Sequence, residues 1–369
     1  MAPWNWPRAG GVLLTAGMIL HADEDVGGRQ AVVLRGGAAQ LTLDLAGGSI
    51  GEFRLKDHDL NPLSWATPAV GEKNTRAFGH FLCLDRWGPP SKAEGRNGMP
   101  YHGEAPNVVW QSQGDVRTEG GFVRASASAR LPLAGLTVQR TLRLSTTSAY
   151  CLVREEVRNE NRLGRIFNMV QHPTIGRPFL DETTLVDCNG RRGFAQGREL
   201  PNPEEPSSYW PQAITRDGQA VNLRHLANDP NPNVVSFVID GDWGWITAAS
   251  PGNGLLVGYL WRTRDYPWVS VWRDVQQGKP SARGLEFGTT GLHQPFPILT
   301  QKGTIFGRPL FEHLDAGETR TKGYGMFLVP IPGDFAGVAS LEVQEKQIVL
   351  HERDRSGNRD LTVEALELP

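Results

Sequence analysis

The chain is poor in cysteine. Its 369 residues include three, Cys83, Cys151 and Cys188. They are scattered and form no CxxC, which argues against a disulfide framework, a zinc knuckle and a thioredoxin-type site. The small count is compatible with a reducing compartment. An excess of charge of one sign is also missing. Lys and Arg number 38 against 40 Asp and Glu, for a formal net charge of -2. That balance leaves no global attraction to nucleic acid or anionic lipid. No apolar run reaches the roughly 20 residues a membrane-spanning helix needs. Outside the N-terminal segment, no long window shows the 3.6-residue apolar period of a helix. There is no GxxxxGK phosphate loop and no strand–GxGxxG–helix unit. Without βαβ alternation, a nucleotide-binding parallel sheet is not expected. No HExxH, and no HxH followed by Glu, marks a metal site; neither metal nor cofactor is expected.

What the chain has is a period of two. In VRASASARLPL, Val123, Ala125, Ala127, Ala129, Leu131 and Leu133 share one face of an extended strand. In GLTVQRTLRLS, Leu136, Val138, Leu142 and Leu144 do the same, with Arg140 as the exception. QLTLDL, NVVSFVID, GWITAAS, GLLVGYLW and WVSVW read as further strands. The 43 glycines and 26 prolines fall between these runs, in turn-forming clusters such as SPGNG and QQGKPSARG. The pattern predicts an all-β fold, a large antiparallel β-sandwich in which two curved sheets pack face to face. Residues 29–369 are expected to form one domain. Residues 1–28 loosely resemble a secretory signal peptide: Arg8 precedes GGVLLTAGMIL, and Ala22 stands before a candidate cleavage point. Trp4, Trp6 and Pro7 are unusual for one. Two locations stay open as expectations: cytoplasmic, or periplasmic or secreted if that segment is a cleaved signal. Two irregular excursions, residues 86–107 and 197–232, are long enough to be functional.

Three residues break the apolar pattern. His102 lies in PYHGEAP, where a loop histidine satisfied by backbone is the plain alternative. His172 ends the apolar run IFNMVQ. Pro173 follows it, so a strand terminus or sheet rim is expected there. Glu286 sits between Leu285 and Phe287, and alternation turns it to the opposite face from them. That face is either solvated or a groove. Five of the 11 tryptophans, Trp243, Trp245, Trp261, Trp268 and Trp272, fall just before Glu286. An indole face matches the C–H face of a sugar ring. Most of these are expected in the core, with one or two, Trp272 among them, lining a pocket.

Taken in order, these segments resemble the aldose 1-epimerase (galactose mutarotase-like) superfamily. YHGEAPNVVW is similar to its HG segment, VQHPTIGRPFL to the segment with its catalytic histidine, and RGLEFGTTGLHQPFP to its late strand with the catalytic glutamate. LAGGSIGEFRLKDHDLNPL resembles its opening hairpin. The likeness covers roughly residues 30–330. It implies a large antiparallel sandwich, a mono- or oligosaccharide substrate, and anomer interconversion by acid–base ring opening. Glu286 would be the general base, His172 the general acid and His102 a hydrogen bond to the sugar. The first two would approach one groove from opposite sides, about a sugar ring apart. Arg86, with Arg76 in reserve, and Trp110 would bind substrate. Gln171 stands where the superfamily usually has Asn, and Pro173 follows the histidine. Two other functions fit the same fold: a non-catalytic carbohydrate-binding protein, and a polysaccharide lyase or hydrolase, for which Tyr101 is the candidate base.

Overall fold

The computed structural model describes residues 23–26, 28–69, 71, 74–196, 206–214, 218–225, 233–353 and 359–369. The resemblance to a signal peptide, and most of the excursion at 197–232, lie outside them. Among the described residues, fourteen strands form one sheet and nine form another, with neighbours antiparallel throughout. No described helix is long and apolar enough to cross a membrane.

The period-two runs are strands, as expected. Phe122–Leu131 and Leu136–Ser145 pair in register, with Ala125, Ala127, Leu136, Val138 and Leu142 buried between the sheets. Each large aliphatic side chain buried this way contributes about 1.5–3 kcal/mol. The exception, Arg140, is also fully buried. Across the ladder its partner is Glu155 of the strand Tyr150–Asn159. Arg140 Nε donates to Glu155 Oε1 at 2.7 Å, and the guanidinium also donates to the Gly48 carbonyl. An arginine can occupy a core position here because a carboxylate on the next strand meets it.

The main core lies between the two sheets. A second core lies on the outer face of the smaller sheet, under a three-stranded sheet of Val338–Gln344, Gln347–Glu352 and Asp360–Glu364. The outer face of the larger sheet carries a third group, where Trp268 packs with Phe306 and the helix Phe296–Lys302. Beside it, and under the 86–107 excursion, that face is open.

At the centre of the larger sheet four strands lie side by side: His80–Asp85, Arg165–Ile175, Lys279–Gly288 and Trp268–Gln276. His172 is therefore central, not at a rim. Pairing on the His80–Asp85 side runs through Pro173 opposite His80. On the other side it resumes at Thr174 opposite Gly284. The Thr174 N–H donates to the Gly79 carbonyl, so position 173 faces the Glu286 strand. Proline thus costs the ladder a donor only on that side, beside His172 and Glu286.

Candidate active site

Register places the key pair. Gln171 opposes Phe287 and Thr174 opposes Gly284, so His172 opposes Glu286 directly. His172 also opposes Phe81, and Glu286 opposes Ser270. Directly opposed side chains on one face lie about 4.5–5.5 Å apart at Cβ, close enough for their polar ends to meet. His172 Nε2 is 3.3 Å from Glu286 Oε2. The pair is therefore in contact and does not straddle a gap the width of a sugar ring. Adjacent strands in register bring the two groups to one place, rather than to opposite walls.

Both groups are buried at the floor of a hollow of about 370 Å³. That volume lies within the range of small-molecule sites. The walls are aromatic. Phe81 stacks on the His172 ring at 4.2 Å, Trp272 lies 6.1 Å from it, and Trp65 packs edge-on to Trp272 at 5.6 Å. The 86–107 excursion supplies the roof with Trp87, Tyr101, His102 and Asn107.

Burial sets the charge state. Desolvation raises Glu286 to about 8, against the opposing pull of the Trp87 indole N–H, which donates to Glu286 Oε2 at 2.6 Å. Desolvation lowers His172 to about 3. At neutral pH the resting proton is thus on Glu286, and the imidazole is neutral, the reverse of the ordinary assignment. His172 Nδ1 is 2.9 Å from Thr174 Oγ1, and that hydroxyl reaches back to the His172 carbonyl at 3.5 Å. With the hydroxyl donating there, it accepts from Nδ1–H, which leaves Nε2 bare toward Glu286. Trp87→Phe removes the N–H that favours the carboxylate. The Glu286 carboxyl is expected to hold its proton to higher pH, by roughly one pH unit. Carbon-detected NMR titration of the side-chain carboxyl reads this directly, and a lower midpoint would contradict the role of the indole.

His102 is held at φ 64°, a left-handed conformation uncommon outside glycine. The next residue, Gly103, has φ 79° and bridges the strand at Leu84; a Cβ there would lie 2.0 Å from the Leu84 carbonyl oxygen. That close approach is the physical content of the HG pair. The Gly88 N–H donates to His102 Nδ1 at 3.2 Å, so the neutral ring carries its proton on Nε2. Burial, then the neighbouring His172 and His293, keep it neutral.

Trp272, His102, His172 and Glu286 all line the hollow. Arg86 and Trp110 do not. Arg86 is buried against Asp85, with Nη2–Oδ2 at 2.6 Å, and Glu94, which caps the short helix Lys92–Arg96. Two carboxylates consume its charge, so it secures the loop and leaves the adjacent Trp87 to face the site. Trp110 is in the main core. Its indole donates to the Ala105 carbonyl at 3.0 Å and packs so close to Gly48 that a Cβ there would lie 2.2 Å from the ring. Of the five clustered tryptophans, only Trp272 reaches the hollow; Trp261, for instance, stacks on Phe287 at 4.1 Å in the core.

Trp65, Phe81, Trp87 and His293, which no sequence motif singles out, also line the hollow, as does Arg76, the reserve arginine. His293 Nε2 lies 3.0 Å from Tyr101 Oη, and burial lowers this imidazole to about 4. It stands in the same stretch as Glu286, but nothing local distinguishes it from a loop histidine.

The fold and hollow define a two-sheet antiparallel sandwich with a carboxyl–imidazole pair in an aromatic-walled pocket. More particularly, the chain has the galactose mutarotase-like fold. It is similar to a galactose mutarotase-like protein from Clostridium acetobutylicum, with TM-score 0.61 and 13% identity over 85% of this chain and 99% of that one. A galactose mutarotase related enzyme from Lactobacillus acidophilus gives 0.56 and 13%, over 82% and 98%. A protein from Synechocystis sp. PCC 6803 gives 0.59 and 11%, over 85% and 99%. No family model and no curated protein matches the chain.

Proposed function

We propose that the protein interconverts the anomers of a sugar by acid–base opening and closing of its ring. The 3.3 Å contact between His172 Nε2 and Glu286 Oε2, inside a hollow of single-sugar scale, carries this reading. The names of the structural neighbours support it.

Ring opening removes the proton of the anomeric hydroxyl and delivers one to the ring oxygen as that oxygen's bond to the anomeric carbon breaks. A carbonyl forms, its face turns, and the same two transfers run backward. The pair needs one proton and one vacancy. At rest Glu286 holds the proton and His172 Nε2 is the vacancy. In the first half of the cycle Glu286 protonates the ring oxygen and His172 takes the hydroxyl proton. Passing the proton across the 3.3 Å contact gives the opposite assignment, with Glu286 as base, at the same proton count. His102 Nε2–H donates to a sugar oxygen. Trp272 and Trp65 pack against the ring's C–H face.

NMR exchange spectroscopy on a panel of aldoses tests the reading. The protein is expected to accelerate anomer exchange well above the buffer rate. Calorimetric sugar binding with no acceleration would instead establish a non-catalytic binding protein. A lyase using Tyr101 is disfavoured, because partial desolvation raises the hydroxyl of this half-exposed side chain to about 12, far from a base poised near neutral pH. Two-carboxylate glycoside hydrolysis lacks its second group, since Glu286 is the one carboxyl among the described lining residues.

A further inference from the structure

Arg76 lines the hollow and stands apart from the other arginines near it. Arg86 is neutralised by Asp85 and Glu94, and Arg29 by Asp44 at 2.7 Å. Arg76 has no carboxylate partner among the described residues. Its guanidinium lies 5.0 Å over the Phe78 ring, and its buried Nε has no hydrogen-bond partner. A guanidinium with one face on an aromatic ring still presents its edge donors, in a fork that matches a carboxylate. The other ionisable lining groups are Glu286, Tyr101 and three histidines, so Arg76 is the one permanent cation among the described lining residues.

Resting on the sugar-site reading above, we propose that the substrate is a sugar acid, a hexuronate-type ring whose carboxylate pairs with Arg76. A single guanidinium balances a single negative charge. A phosphate monoester carries about -1.5 to -2 and is ordinarily met by several cations, which this wall does not offer. Burial keeps Glu286 mostly neutral and the lining histidines uncharged at neutral pH, so no fixed anion repels the incoming carboxylate. Losing a charge-assisted fork costs about 10- to 100-fold in affinity.

The test compares glucuronate, galacturonate, glucose and glucose 6-phosphate in the anomer-exchange assay, with binding followed by tryptophan fluorescence. A hexuronate is expected to exceed glucose and glucose 6-phosphate in kcat/KM by at least about 10-fold. In Arg76→Gln the uronate-to-glucose ratio is expected to collapse through KM, and Arg76→Lys is expected to restore part of it. Preference for glucose or glucose 6-phosphate overturns the proposal, as does equal loss on uronate and glucose in Arg76→Gln. Failure of every sugar to exchange refutes the catalytic reading alone. In that case, fluorescence titration with hexuronate decides: weaker binding in Arg76→Gln upholds the charge pairing, and unchanged binding overturns it.

Discussion

Glu286→Gln and His172→Asn are each expected to slow anomer exchange by about 10²–10⁴-fold while leaving the circular dichroism spectrum unchanged. Each removes one of the two groups that must trade a proton. Wild-type exchange is expected to follow a bell. Its alkaline limb falls near pH 8, where Glu286 loses the pair's one proton. Its acid limb falls near 3, where His172 gains a second. Stability gives an independent readout. The Glu286 carboxyl is raised from 4.5 in the unfolded chain to about 8 in the fold. Between those values the unfolded chain sheds a proton that the native state keeps, so the native state loses stability as pH rises. Glu286→Gln removes this penalty. Its advantage over wild type should be absent below about pH 4.5, grow through the window and level off above 8 at a few kcal/mol. Urea unfolding at several pH values measures it. Wild-type exchange rates in both variants would sink the assignment of the pair. A flat stability difference would show that Glu286 is not desolvated.

Arg140→Leu is expected to destabilise the fold by about 3–5 kcal/mol, because it strands Glu155 in the core. Glu155 is fully buried and lies between Arg140 and Gln171, whose amide nitrogen donates to it. The chain of contacts continues from Gln171 Oε1 to His80 Nε2 at 3.1 Å. Adding Glu155→Gln to Arg140→Leu removes the unpaired charge and is expected to recover part of the loss. Thermal melts of the wild type and both variants suffice. If the double variant is no more stable than Arg140→Leu alone, desolvated charge is not the main cost.

The network also explains Gln171. It faces the core, while its neighbour His172 faces the hollow, as strand alternation requires. An amide there reaches His80, Glu155 and the Tyr266 hydroxyl at once. Both faces of this strand thus carry polar groups. Pro173 made QHP look like a strand end in sequence, although it lies mid-sheet.

Period-two alternation alone determined the all-β class, the buried faces of the Phe122–Leu131 and Leu136–Ser145 strands, and the outward turn of Glu286 from Leu285 and Phe287. Those are local properties, set by Cβ geometry within one strand. Loop 86–107 stood out in the sequence by its length and by His102, which does line the hollow, but of the adjacent pair at its start it is Trp87 and not Arg86 that faces the hollow. The choice between them depended on Asp85 and Glu94 absorbing the arginine's charge. Tertiary structure alone decided the register that opposes His172 to Glu286, the burial that raises the carboxyl and lowers the imidazole, and the gathering of Trp65, Arg76 and His293 around them. Those follow from pairing between strands far apart in the chain and from the burial that pairing creates. Neither leaves a trace in the spacing of residues along any one segment.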